Sequence, residues 1–232
     1  MSAVEPTEPG HLRLTLLALT FTTGLVDAVS YLGLGRVFTA NMTGNVVLLG
    51  FGLGGSHVVW IAGALVSLAF FLAGAVIGGR LTAQVGDRFR YLLGGLGLET
   101  LLVALAAIVS LPAQGTGARL VLVGLLATAM GVRNAVVRRL AVPDMTTTVL
   151  TLTLTGLASD STVAGGSGGQ MLRRGGAAAA MLVGAVAGAL LVRHDITFAL
   201  TAAAAMVAAT MAGLWSAVRA DATAAPADPA AR

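Results

Sequence analysis

The chain reads as an all-α polytopic membrane bundle: about six spanning helices plus two re-entrant half-helices, arranged as an inverted repeat. Three observations predict this. The 232 residues are 56% hydrophobic and only 10% charged, with mean hydropathy +0.90; a soluble domain carries about 25% charged residues. The apolar runs are near the ~20 residues that a bilayer crossing needs. The two halves of the chain also echo each other in sequence.

Residues 1–11 and 219–232 are polar or Ala/Pro-rich and are expected to be disordered tails around one membrane domain, 12–218. The first apolar run is too long for a cleaved signal peptide and carries Asp27. Spanning helices are predicted at about 12–34, 57–79, 91–111, 119–139, 175–192 and 196–218. Two apolar runs of about ten residues remain, Val46–Leu53 and Val149–Ala158, each half a crossing. Their Thr/Leu alternation at Thr151, Thr153 and Thr155 resembles a strand. A lone strand in lipid is not viable, so a short helix is predicted.

Arginine decides whether the short runs cross. Lysine is absent, and all 14 basic residues are Arg. With both runs re-entrant, one side receives Arg13, Arg80, Arg88, Arg90, Arg138, Arg139, Arg173, Arg174, Arg219 and Arg232. The other receives Arg36, Arg119 and Arg193, with Arg133 inside a span. With both crossing, that bias disappears. The positive-inside rule therefore predicts six crossings and cytoplasmic termini. Tyr31 and Trp60 then fall at the outer interface, Tyr91 and Trp215 at the inner one.

The repeat halves are 12–111 and 119–218. Gly24-Leu-Val-Asp27-Ala-Val matches Gly131-Val-Arg-Asn134-Ala-Val. Thr39-x-x-Met42-Thr43-x-Asn45 matches Thr147-x-x-Leu150-Thr151-x-Thr153, and Gly74-x-x-x-Gly78 matches Gly184-x-x-x-Gly188. Three crossings per half is an odd number, so the second half is inverted. Transporters place sites where broken helices of such repeats meet, and the stretches 27–50 and 134–156 are expected to face each other. The GxxxG pairs are expected to pack on their own half's broken segment or on each other.

The string D-A-x-S-Y-L-x-L-G-x-V-F-T-A-N-M-T-G-N, with M-G-x-x-N-A-x-V-R-R later, resembles the YoaK family of bacterial inner-membrane proteins of unassigned function. The likeness covers most of residues 15–217 and implies a multi-pass protein of the bacterial cytoplasmic membrane. Such proteins tend to carry a TGN-like triplet in the second half as well. Here Thr151-Leu152-Thr153 stands instead.

Candidate site residues follow from the cost of polar groups in lipid. Asp27 is an intramembrane carboxylate, either functional or bonded to the broken loop beyond its helix. Glu99 and Arg133 lie at similar depths and form either an ion pair or a proton relay. Thr39, Asn41, Thr43 and Asn45 offer amides and hydroxyls beside exposed backbone, with Thr43 or Asn45 capping the short helix. Asn134, Thr147, Thr148 and Thr151 repeat the arrangement, with Asp144 or Thr146 as cap. His57 and His194 read as interface residues of no special role.

No cysteine is present, so disulfides and thiolate metal sites are excluded. HExxH and GxxxxGK are absent, and no cofactor or metal is expected. Asp27 and Asp144 could serve as acid and base, but no nucleophile accompanies them, so an enzyme ranks last. The scattered arginines do not predict a nucleic-acid partner. The expected partners are the bilayer and a small solute, and a homo-oligomer is compatible. The first reading is a small secondary transporter or channel; the alternative is a non-transporting membrane assembly or lipid-binding module.

Overall fold

The computed structural model describes residues 10–112, 115–141 and 150–224. Among them the chain forms eight α-helices and no strand: α1 Gly10–Gly33, α2 Met42–Leu53, α3 Ile61–Gln84, α4 Arg88–Ser110, α5 Gly115–Leu140, α6 Leu150–Ser159, α7 Met171–Val192 and α8 Ile196–Ala224. Six are long and apolar enough to cross a bilayer; α2 and α6 are not. This is a polytopic helical bundle.

Five boundaries shift from expectation by four to six residues, and two of them have a visible cause. The second span starts at Ile61 because Gly55 turns with φ 94° and Trp60 seats on Gly35 and Gly63. α8 runs on through residues 219–224, expected as tail, with Arg219 stacked 4.4 Å over the Trp215 ring and Asp221 3.6 Å from His11.

Close packing follows the small residues. Gly74 and Gly78 of α3 lie on the backbone of α5 at Thr128 and Val132. Gly184 and Gly188 of α7 lie on α1 at Phe21 and Leu25. A Cβ at any of the four would collide with main-chain atoms, so only glycine permits this approach. The reverse contacts match as well: Gly24 meets Met181 and Ala185, Gly131 meets Phe71 and Ala75. The expectation that each GxxxG packs on its own broken segment, or on the other GxxxG, is therefore corrected. Each packs on the first helix of the opposite half, because there a partner glycine gives room. Every helix contact is repeated when the halves are exchanged: α1 with α7 as α5 with α3, α1 with α8 as α5 with α4, α2 with α3 as α6 with α7.

The chain dips between α1 and α3. From Gly33 it doubles back through Gly35 (φ 110°) and Arg36 (φ 61°). It reaches Asp27, six residues or about 9 Å down α1, where Thr39 and Ala40 are bonded. α2 then climbs antiparallel to α3, from Asn45 beside Ser67 to Gly52 beside Ile61. Leu34, Val37, Thr39 and Ala40 are all buried, as irregular backbone at this depth requires.

Candidate functional site

One face of α1 carries Leu19, Thr23 and Asp27 on successive turns, each buried. This face organises two polar clusters. The first is a clasp on the broken loop. The Asp27 carboxylate accepts hydrogen bonds from the backbone N–H of Thr39 at 3.0 Å and of Ala40 at 2.8 Å. Ser30 donates to the Asp27 carbonyl at 3.1 Å, and the Thr39 hydroxyl lies 3.5 Å from that of Ser30.

Asn45 completes the clasp. Its Oδ1 accepts from the Phe38 N–H at 2.9 Å, and its Nδ2 donates to the Phe38 carbonyl at 2.7 Å and to Ser67 Oγ at 3.1 Å. Ser67 donates to the same carbonyl at 2.5 Å. A fully buried amide thus pairs with both the N–H and the C=O of one residue, as a strand partner would. This corrects the expected cap: Asn41, not Thr43 or Asn45, caps α2, accepting from Gly44 N–H at 3.2 Å. Asn41 and Thr43 are exposed. Asn45 is drawn into the clasp because its side chain faces α3.

The second cluster is charged. Arg133 of α5, 2% exposed, donates through Nε to Glu99 Oε2 at 2.8 Å and through Nη2 to Glu99 Oε1. Its Nη1 donates to the Leu19 carbonyl and to Thr23 Oγ1, both at 2.8 Å. A bidentate fork on the carboxylate plus two bonds to α1 leaves Arg133 bonded on both sides of its plane edge. Arg133 therefore does not snorkel to the membrane surface; it ties α4 and α5 to α1. Asp27 sits one turn beyond Thr23 on the same buried face of α1. Two carboxylates and one guanidinium are thus gathered in the bundle.

The second-half candidates are arranged differently. Asn134 donates from Nδ2 to the Met130 carbonyl at 2.8 Å. Thr151 is exposed, Thr153 is buried, and Thr155 donates to the Thr151 carbonyl at 2.9 Å. Asp144, Thr146, Thr147 and Thr148 lie outside the described residues. The expectation that the two broken segments face each other is not met among the described residues. α2 lies on α3, α6 lies on α7, and the two short helices make no contact. Each is held by its own half's GxxxG helix, and those two helices are on opposite first helices.

Sequence reasoning missed Thr23, Ser30 and Ser67, although each had a signal. Thr23 and Ser30 stand one turn either side of Asp27, and Ser67 is a lone hydroxyl in the apolar run 61–66 and 68–78.

The fold and these buried charges define a multi-pass membrane protein whose two sequence-related halves carry different polar residues at matching places. The chain belongs to the family described as "Protein of unknown function (DUF1275)", which matches residues 15–213. It is 36% identical over 154 residues to the UPF0700 transmembrane protein YoaK of Bacillus subtilis (strain 168), covering 64% of this chain and 67% of that one. No solved structure matches.

Proposed function

We propose that this protein is a small secondary transporter, or a channel, for a small solute in the bacterial cytoplasmic membrane. The observation that carries the reading is the Asp27, Glu99 and Arg133 set. Three ionisable groups buried at the meeting of α1, α4 and α5 are costly in a membrane and are rarely kept without a task. The site in this reading lies between those helices rather than between the two short ones. Asp27 carries the charge that changes during transport, and Arg133 joins the two sides.

Two features support an inverted repeat with re-entrant half-helices. The end of α1 and the start of α5 share one cavity through Gly33, Leu34, Ala118 and Arg119, so these equivalent helices run oppositely. The segment 34–60 leaves and returns at one level, Gly35 touching Trp60. The arginine bias supports cytoplasmic termini for this arrangement. No catalytic role is assigned to any residue.

A second reading has its own observation. Asp27 and Asn45 are both bonded to loop backbone, as in a structural clasp of a non-transporting assembly or lipid-binding module. Asp27→Asn separates the two, because Asn keeps the Oδ1 acceptor and so most of the clasp. Purified protein would be reconstituted in liposomes and screened for solute-driven current against a panel of ions and small acids. A flux abolished by Asp27→Asn at an unchanged melting temperature supports transport. Unchanged flux across the panel, with lowered melting temperature or a co-purifying partner, supports the module.

A further inference from the structure

The eight helices sort into two groups by who touches whom. α1, α6, α7 and α8 form one set of contacts; α2, α3, α4 and α5 form the other. Exchanging the sequence halves exchanges the groups. Among the described residues, helices of one group meet those of the other at two places only, α4 against α8 and α1 against α5. The glycine contacts that weld helices together all fall within a group. Polar bonds, in contrast, cross the seam: Arg133 to Leu19 and Thr23, Ser110 Oγ to Thr197 Oγ1 at 2.8 Å, Asp27 to the loop that leads into α2. The two glycine-welded groups are thus joined by side-chain packing and these polar bonds, without the close backbone approach found inside each group.

The seam is packed along most of its length: Val26, Val29 and Leu200 of one group share a single buried cluster with Ala106, Val123 and Leu126 of the other. At the end where α1 begins, Leu12, Leu16 and Leu19 of one group meet Leu92, Leu96 and Val136 of the other, all fully buried or nearly so. At the end where α1 stops, the seam opens into a cavity of about 380 Å³ bordered by both groups. Among the described residues its polar lining is Ser110 and Arg119, with Leu122 at 3% exposure beneath. Arg119 is the charged group on the wall among the described residues. The nearby carboxylate, Asp195, is turned to its own helix, accepting from Phe198 N–H at 3.0 Å.

We infer that the cavity bordered by Ser110, Arg119 and Leu122 is the open mouth of a path along the seam between the two helix groups, closed along the rest of its length, and that Arg119 makes it receive small anions. The inference rests on the transport reading for its purpose. The cavity and its charge preference are tested without any flux.

The chain has no cysteine, so single cysteines report cleanly. Leu122→Cys lines the mouth; Leu16→Cys lies in the closed end. Ala118→Cys, also on the cavity wall and half-buried, serves if Leu122→Cys folds poorly. Each variant, in detergent and in liposomes, is reacted with a sulfonate and a trimethylammonium methanethiosulfonate of similar size. The expected result is that the mouth cysteine reacts, with the anionic reagent about threefold faster or more. Arg119→Gln brings the two rates together, and Leu16→Cys stays unreactive. No reaction at both Leu122→Cys and Ala118→Cys, or equal reaction at Leu16→Cys, overturns the one-sided mouth. A faster cationic reagent, or a preference unmoved by Arg119→Gln, overturns the anion assignment. If labelling is as expected but Asp27→Asn leaves all flux unchanged, the mouth stands and the transport reading falls.

Discussion

Two regions of this molecule, α1 to α3 and α5 to α7, share a pattern of helix contacts and differ in chemistry. In the first half, Asp27, Asn45 and Ser67 hold the chain between α1 and α2. Carrying the same register into the second half puts Asn134 in place of Asp27, Thr153 in place of Asn45 and Ala177 in place of Ser67. Thr153 and Ala177 are buried, as Asn45 and Ser67 are. The glycines, by contrast, are identical in both halves and make equivalent contacts. Packing constrains both copies alike, since a Cβ at any of these glycines meets main chain. Charge is not under that constraint, and it has diverged: Val26 of the first half corresponds to Arg133 of the second. The duplicated part is the scaffold, and the buried charges are not duplicated.

The largest break is expected at Arg133. Arg133→Leu leaves Glu99 buried without its cation, and losing one member of a buried pair costs about 3–5 kcal/mol. Melting temperature in detergent should fall sharply. Glu99→Leu together with Arg133→Leu should recover much of it, since neither charge is then stranded. The corresponding Val26→Leu in the first half strands no charge and should cost less, about 1–3 kcal/mol for the added bulk in a packed core. If the double variant melts no higher than Arg133→Leu alone, the pair is not the source of the loss.

The glycine contacts sharpen the same comparison from the other side. Gly74→Val and Gly184→Val each press a side chain onto helix backbone, and overpacking of this kind costs about 1–3 kcal/mol or more. The two losses should be alike, because the two contacts are alike. Gly79→Val, one residue from Gly78 but with nothing near its Cβ position, should be close to neutral. A large difference between Gly74→Val and Gly184→Val would show that the halves carry unequal loads despite matching geometry.

Much of this was readable before any coordinates. The six spans, the two short helices and the buried ionisable residues follow from hydropathy and from the cost of charge in lipid. The repeat was readable as well, because glycines at matching places leave a strong trace. What could not be read was partnership. Gly74 and Gly184 show by type that a helix comes close, but residue type does not say which helix. The answer, the first helix of the opposite half, depends on the chain crossing over between bundles. Asn45 shows the same limit. Its position before an apolar run reads as a cap. Its use as a clasp on Phe38 depends on Ser67, which folding alone brings to it. Charge complementarity was the exception: one guanidinium and one carboxylate at similar depth have few other ways to be satisfied.

The smallest expected effect lies in the connectors from short helix to GxxxG helix. In the first half the connector is fixed by an apolar contact, Trp60 on Gly35 and Gly63. In the second, Arg174 Nη1 donates to Asp160 Oδ2 at 2.6 Å, and the Arg174 guanidinium lies against Gly156. The Arg174 hydrogen bond, helped by Ser159, holds the Asp160 carboxyl below its ordinary value of 3.8. A carboxyl depressed in the folded state adds stability at pH above that ordinary value and loses it as pH falls through the folded one. Asp160 is exposed, so solvent screens the contribution and the effect on global melting is small. Local protease sensitivity is the better measure. Cleavage in 159–170 should rise as pH drops from 5 to 3 in the parent chain, and Arg174→Gln should raise it at pH 5 and flatten the dependence. Cleavage in 54–60 should show no such trend, since no carboxylate holds that connector. A parallel acid response in both would mean that the whole bundle loosens, and that the difference between the two connectors does not extend to how they are fixed.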